Sequence, residues 1–291
     1  MIISVTVTYN PDCNCLEKQL QSLKNQISTS FVVDNGSSNI EQIEKLVNKF
    51  DYQLIKLDRN MGLSFAQNRG IEAAIRYGAD YLLLLDQDSI LNDNFVCEMK
   101  SVYDKYNVGV LGPSFYDPEN NQYYPGTNYI GPFIKRTPIS IITDVTYVIA
   151  SGSFFSASVY RAVGKMEEDL FVDYIDVEWS LRAKSLGYKV AMTNTASMSH
   201  TIGDSRLNIL GRKISVHSPM RRYFLVRNSF FMIRKSYIPT GYKIREVIFN
   251  FIRSLISLCV NEDRLLTMKM ILSGIKDGLL GRFGPYHKNI K

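Results

Sequence analysis

A chain of 291 residues that is 45% hydrophobic and 21% charged has enough apolar material for a substantial core and lacks the bias of a disordered or fibrous protein. Its 4 cysteines are too few for a disulfide scaffold, and the close pair Cys13 and Cys15 does not have structural-zinc spacing, so the usage fits a reducing cytoplasm. The formal net charge of +6 hides an asymmetry: residues 1–200 carry 17 Lys or Arg against 23 Asp or Glu, and residues 201–291 carry 17 against 5. Such a basic end serves an anionic membrane, a nucleic acid or a diphosphate equally well, and charge alone selects none of them.

The opening MIISVTVTYN has no basic leader before a long apolar run, so residues 2–8 read as a first strand that turns at Tyr9, Asn10 and Pro11. A helix is expected over 15–26 and a strand over 31–33, which ends in the turn residues Asp34, Asn35, Gly36 and Ser37. Residues 39–50 then read as helix, 52–57 as strand, 62–77 as helix and 81–85 as a fourth strand. The alternation predicts an α/β fold with a mainly parallel central sheet and covering helices. Residues 112–146 are rich in aromatic residues, Asn, Gly and Pro and read as strands joined by long loops. Further strands are expected over 154–159 and 188–192, with a short helix over 176–185 between them. No linker divides the chain, so one αβ unit is expected over 1–235, completed by a helical extension over 236–291.

In such a sheet, ligands gather beyond the carboxyl ends of the strands. Asn10, Asp34 and Asn60 follow the first three strands, and the fourth ends in Asp86-Gln87-Asp88. Two acids two residues apart on an extended segment point the same way, which suits one hard divalent ion, Mg²⁺ or Mn²⁺, held against a diphosphate. A dinucleotide-binding dehydrogenase is a poor competitor, because the first strand leads into TYNP and not into a glycine-rich turn.

Five segments in this order, Val7-Thr-Tyr-Asn10, Val33-Asp-Asn-Gly-Ser37, Arg59-Asn-Met-Gly-Leu63, Leu85-Asp-Gln-Asp-Ser89 and Phe171-Val-Asp-Tyr-Ile-Asp-Val-Glu-Trp179, resemble the family 2 nucleotide-sugar glycosyltransferases, and among them the bacterial rhamnosyltransferases. The resemblance implies a GT-A-like fold, inverting transfer, a nucleotide-sugar site over 1–111 and an acceptor and catalytic part over 112–235. It implies Thr8, Tyr9, Asn10, Asp34, Asn60 and Asp86 as donor-site residues, Asp88 with Asp86 as metal ligands, and Asp176 as the base that takes the acceptor proton. Where related motifs carry Glu before this Asp, the chain has Ile175, which leaves Glu178 or Asp173 to act as an assisting acid. His200, in Ser199-His-Thr-Ile-Gly203, is a third candidate metal ligand, and Arg222 and Arg227 are candidates for the donor diphosphate. The donor implied is dTDP-L-rhamnose and the acceptor a lipid-linked bacterial glycan. A UDP-sugar donor is the enzymatic alternative, and a sugar-binding protein of the same fold is the non-catalytic one. No nucleic-acid partner is expected.

In residues 244–260, Ile244, Ile248, Ile252, Leu255 and Cys259 recur at helical spacing, widened by Val247 and Phe251, beside Lys243, Arg245 and Arg253. This predicts an amphipathic helix at the inner face of the cell membrane, too short and too charged to cross it. The same stripe also fits packing against the catalytic part or against a second copy in a homo-oligomer.

Overall fold

The structure, a computed structural model, describes residues 1–117, 121–199, 206–209, 212–215 and 217–286. The first half alternates as expected: β1 (Ile2–Thr8), α1 (Cys13–Leu23), β2 (Ser30–Asp34), α2 (Ile40–Lys49), β3 (Gln53–Lys56), α3 (Leu63–Tyr77) and β4 (Tyr81–Asp86). There follow β5 (Ile90–Leu91), α4 (Phe95–Lys105), β6 (Val110–Asp117), β7 (Gln122–Tyr123), the hairpin β8 (Gly126–Ile130) and β9 (Phe133–Thr137), and β10 (Thr143–Asp144). Next come β11 (Phe154–Ser156), α5 (Ala157–Val163), α6 (Ile175–Ser185) and β12 (Val190–Ser199). A hairpin of β13 (Arg206–Ile209) and β14 (Arg212–Ser215) precedes three helices, α7 (Pro219–Arg234), α8 (Thr240–Val260) and α9 (Arg264–Leu280).

The large sheet runs β10-β12-β6-β11-β4-β1-β2-β3, with β5 and β7 pairing at its margin. β1 pairs in parallel with both β2 and β4, β2 with β3, and β6 with β12, while β11 is antiparallel to both its neighbours. Strands covered on both faces are continuously apolar. Accordingly Leu82, Leu83, Leu84 and Leu85 of β4 and Val32 and Val33 of β2 are all buried. The polar residues that alternate along β1 are satisfied in place: Ser4 donates to Ser30 Oγ at 2.7 Å, and Gln19 of α1 donates to Thr6 Oγ1 at 3.0 Å. Gly70 lets α3 lie directly on the sheet, since a Cβ there would stand 2.3 Å from Val5 Cγ1.

Residues 154–159, expected as one strand, are divided. The strand ends at Ser156, whose hydroxyl accepts from Val159 N at 3.2 Å and caps α5. β12 is longer than expected and shifts register between Met192 and Ser197, which carries it past β6 to β5.

The carboxyl-terminal helices are built differently from the rest. α9 packs closely on α7 through Gly274 and Gly278, where an added Cβ would meet Tyr223 O at 2.8 Å and the Phe230 ring at 2.4 Å. α8 is inverted. Its buried residues are Tyr242, Arg245, Glu246, Asn250 and Ser257, and its exposed ones include Ile244, Val247, Ile248, Phe251, Ile252 and Leu255. α9 adds Leu265, Met268, Leu272 and Leu279 to the exposed apolar residues. Among the described residues no helix is long and apolar enough to cross a membrane.

Candidate functional site

Parallel pairing brings the ends of three strands together. Thr8 stands opposite Asp34 across β1 and β2, and Val7 stands opposite Asp86 across β1 and β4. Beyond those ends lies a cleft of about 430 Å³, lined on its polar side by Tyr9, Asn35, Asn60, Asp86, Gln87 and Asp88 and on its apolar side by Val7, Leu63, Phe171 and Val172. Tyr9, 47% exposed, stands at the rim, and its backbone N–H donates to Gln87 Oε1 at 2.9 Å, which ties the first strand's turn to the acidic one.

The sequence-predicted donor residues separate into two groups. Tyr9, Asn60 and Asp86 line the cleft. Thr8 and Asp34 do not: both are buried, Thr8 Oγ1 donates to Asp34 Oδ1 at 3.1 Å, and Asp34 Oδ2 accepts from the backbone N–H groups of Gly36 and Ser37. Asp34 is thus a turn cap. Asn10, at φ 45°, accepts from Ser38 N at 2.8 Å and joins the first two turns. The residue that enters the cleft is Asn35, held by its Oδ1 accepting from Met61 N and its amide donating to Asn60 Oδ1. Asn35 was within reach of sequence reading, since it adjoins Asp34. Which of two successive strand-end residues faces the cleft, however, depends on how the strand is set in the sheet.

Asp86 and Asp88 both face this cleft, and among the described residues neither carboxylate accepts a hydrogen bond. Burial, reinforced by the nearby Asp88, pushes the Asp86 carboxyl up to about 6. Asp176 lies in the first turn of α6 and is likewise raised to about 6, chiefly by burial, although its Oδ1 accepts from Val177 N at 2.9 Å. Its further causes include the charges of Asp86 and Asp173, so Asp86 feels Asp88 on one side and acts on Asp176 on the other, while Asp176 itself lines a separate small cavity with Gln67, Trp179 and Ser180. Two carboxylates, each raised by burial and by a neighbouring carboxylate's charge, are a pattern that functional sites exploit.

Both candidate assisting acids are engaged elsewhere. Glu178 is fully buried and accepts two bonds from Arg182, at 2.9 and 2.8 Å, and one from the Tyr237 hydroxyl, so it anchors α6 to the segment after α7. Glu178→Gln should therefore lower stability by about 3 kcal/mol, the scale of breaking a buried ion pair, read as the shift in a urea midpoint. An unchanged midpoint would show that the contact adds nothing to the fold. Asp173 pairs with Arg221 at 2.9 Å.

The two arginines expected at the donor diphosphate are also placed elsewhere. Arg222 is 1% exposed and donates to Asn250 Oδ1 of α8 at 2.6 Å, and burial lowers its pKa to about 10. Arg227 is fully buried, and its guanidinium donates to the backbone carbonyls of Asp169, Leu170 and Gly284 and to Asn228 Oδ1. Both make buried contacts within the chain, and neither lines the cleft. His200 lies outside the described residues.

Phe171 and Val172, in the apolar wall, belong to a stretch with unusual backbone. Phe171, Asp173 and Tyr174 have φ of 64°, 62° and 65°. Non-glycine residues there carry strain on the order of 1 kcal/mol or more each, and such strain collects at functional sites.

The sequence profile of Glycosyl transferase family 2 matches residues 4–164. The chain belongs to this family. It is 35% identical over 292 residues to dTDP-rhamnosyl transferase RfbF of Shigella flexneri, a match covering 97% of each chain. It is 22% identical over 229 residues to the low-salt glycan biosynthesis hexosyltransferase Agl10 of Haloferax volcanii, covering 74% of this chain and 72% of that one. Among solved structures, GalNAc-T7 with UDP, GalNAc and Mn²⁺ superposes with a TM-score of 0.63 at 13% identity, over 96% of this chain and 56% of that one. S. aureus TarS 1-349 superposes with a TM-score of 0.60 at 15% identity, over 97% and 81%. At these identities the solved structures establish a shared fold. As a family 2 member with this GT-A-like fold, the chain is a nucleotide-sugar-dependent glycosyltransferase that acts on a sugar acceptor.

Proposed function

We propose that the chain moves a hexose from a nucleoside diphosphate sugar to a hydroxyl of a lipid-linked cell-surface glycan, with inversion at the sugar carbon. The observation that carries this reading is the cleft at the strand ends that Asp86 and Asp88 line, with Asp176, from a distant part of the sequence, in a separate small cavity but close enough to Asp86 to feel its charge. Tyr9, Asn35 and Asn60 form the nucleoside side of that cleft, and Phe171 and Val172 close it toward Asp176. Asp176 receives the acceptor proton as the hydroxyl oxygen attacks the sugar carbon opposite the departing diphosphate. The walls fix both reactants and keep water from taking the acceptor's place.

The donor set at Asp86 and Asp88 fits Mg²⁺ or Mn²⁺. Both are hard oxygen ligands facing the cleft, and these ions are commonly held by one or two carboxylates together with substrate phosphates and water. Among the described residues no group of three or more His, Cys, Asp or Glu forms a closed cage. When bound, the ion neutralises charge on the leaving diphosphate.

Two donors have support. A UDP-sugar is favoured by the ligands bound in structures it superposes on, UDP with GalNAc-T7 and UDP-GlcNAc with TarS. dTDP-L-rhamnose is favoured by the full-length match to RfbF. Release of nucleoside diphosphate across a panel of UDP-sugars and dTDP-L-rhamnose, with glycan acceptor present and absent, decides between them. Acceptor-dependent release from none of these donors would defeat the transfer reading, and sugar binding without release would favour the non-catalytic alternative.

We further propose that the exposed apolar face of α8, with α9 beside it, rests on an anionic bilayer at the cytoplasmic face of the membrane, where a lipid-linked acceptor would be met. The catalytic part does not cover the apolar residues of α8, contrary to one sequence expectation, and basic residues, namely Lys243, Arg253, Arg264, Lys269 and Lys276, accompany them. This combination suits burial at a headgroup boundary with cationic contacts to phosphate. Sedimentation with phosphatidylglycerol vesicles should deplete the protein from solution, less so as salt rises. Ile248→Asp with Ile252→Asp, both at exposed positions, should abolish binding with the circular dichroism unchanged. Binding to no vesicle, with a dimer in solution that the same pair disrupts, would assign the face to a second copy.

A further inference from the structure

The segment before α6 joins the two halves of the site, because Phe171 and Val172 wall the cleft and Asp176 follows within the next turn. Its backbone is left-handed at three of the four positions 171–174, a conformation that these side chains do not favour and that something must therefore hold. Side chains are tied down by Arg221, which pairs with Asp173 at 2.9 Å, and by Glu246, which accepts from the Tyr174 hydroxyl at 2.6 Å, while the backbone carbonyls of the segment are gripped by one residue pair on α7. Asn228 is fully buried, and its side-chain amide donates to Leu170 O at 2.9 Å and Val172 O at 2.7 Å, with a longer contact to Asp173 O at 3.4 Å. Arg227 fixes Asn228 from behind, donating to its Oδ1 at 3.0 and 2.8 Å, and reaches Leu170 O itself at 3.2 Å. On the opposite side, Leu63 N donates to Phe171 O at 2.7 Å, and Gly62 leaves room for Phe171, whose ring a Cβ there would approach to 2.7 Å.

We propose that Asn228 is a positioning residue for sugar transfer. Its amide sets the left-handed course of residues 171–174 and so fixes, together, the apolar wall of the donor cleft and the reach of Asp176. Arg227 acts through it as the support that keeps both amide hydrogens turned toward the carbonyls. The pairing has a chemical reason. An asparagine amide presents two N–H groups on one nitrogen, so it can serve two adjacent carbonyls while its oxygen takes the arginine, and no other side chain of this length offers both functions. The role lies apart from the diphosphate contact expected of this arginine from sequence, and it rests on the reading of Asp176 as the base.

The test compares Asn228→Asp, which keeps the shape but turns the donor into a charge facing carbonyl oxygens, with Asn228→Ser, which shortens the reach without adding charge. Transfer kinetics, nucleoside diphosphate binding by calorimetry and thermal unfolding are measured on the full chain, with Asp176→Asn alongside. The expected result is a drop in kcat of about 10²-fold, the scale of a misplacement near 1 Å in a reacting pair. Nucleoside diphosphate affinity should fall far less than kcat, because Tyr9, Asn35 and Asn60 lie outside the clamp and only the Phe171 and Val172 wall moves with it. Serine should fall between aspartate and wild type. A loss of kcat that merely follows the unfolded fraction, or failure of both variants to fold, would make the contact a folding element and overturn the proposal. So would full activity in Asn228→Asp while Asp176→Asn is inactive. Full activity in Asp176→Asn would instead remove the base assignment, a separate failure.

Discussion

Asp176→Asn is expected to reduce sugar transfer by about 10³-fold, within the range for loss of a general base, and at the same time to make the protein more stable at neutral pH. The amide keeps the shape of the side chain and its bond from Val177 N but cannot take the acceptor proton. The stability gain follows from the raised pKa. Burial first, with Asp86 and Asp173 after it, lifts the folded-state value from 3.8 to about 6, so the folded protein binds this proton more tightly than the unfolded chain does. Stability is therefore lost as pH rises from the unfolded value through about 6, and the ionised form at pH 7 to 8 carries a penalty on the order of 2 kcal/mol, discounted for partial exposure. Thermal unfolding in chelator at pH 4 and pH 7.5 checks the sign. The variant and wild type should melt together at the lower pH, and the variant should melt higher at the upper one. Equal melting at both would mean that the carboxylate is not destabilised where it sits. Turnover by wild type should rise with pH through the same region, because the base must be ionised.

The second large effect is expected at Asp88. Asp88→Asn should lower donor turnover by about 10²-fold or more, the scale of removing one electrostatic contact to a developing charge. The concentration of Mn²⁺ or Mg²⁺ needed for half-maximal rate should also rise. Asp88 lies in the turn after β4, so the fold should survive. The Asp86 carboxyl should titrate lower in the variant, since the charge of Asp88 is one of the two causes that raise it. Metal titrations of nucleoside diphosphate release, with a melting curve for each variant, provide the measurement. Wild-type turnover that persists undiminished in excess chelator would remove the divalent ion from the mechanism. An Asp88 variant with normal metal dependence would move the main ligand to Asp86.

Much of the site's strand frame was legible because parallel strands advertise themselves locally. β1 matches its expected residues at both ends, and the apolar run of β4 followed by Asp-Gln-Asp could be nothing but a buried strand emerging at a polar edge. The acids at that edge were readable as polar strand-end residues for the same reason, and Asp176 was singled out only by the resemblance of the motif around it. The candidates that the structure places away from the cleft share one feature. Asp34, Glu178, Arg222 and Arg227 are charged residues inside recognisable motifs, and each turned out to be buried and occupied by the chain itself. A charged side chain near a site in sequence can serve a substrate or the scaffold, and its partners, which come from distant segments, decide which.

The sequence by itself determined the αβ alternation and the strand ends where polar residues gather, Asp86 and Asp88 among them, since periodicity and turn chemistry are local properties of the chain. Only the tertiary structure decided which neighbour faces the cleft, as with Asn35 over Asp34, because that depends on how each strand is set against its partners. It also decided that α8 turns its polar face inward. Tyr174, near Asp176 in the chain, donates its hydroxyl to Glu246 at 2.6 Å, and Asn250 donates to that hydroxyl, so a polar stripe that would otherwise face water finds its partners inside. An amphipathic pattern fixes that a helix has two faces. Which face is buried is settled by what the rest of the chain places beside it, and here the chain placed hydrogen-bonding groups there and left the apolar face outward.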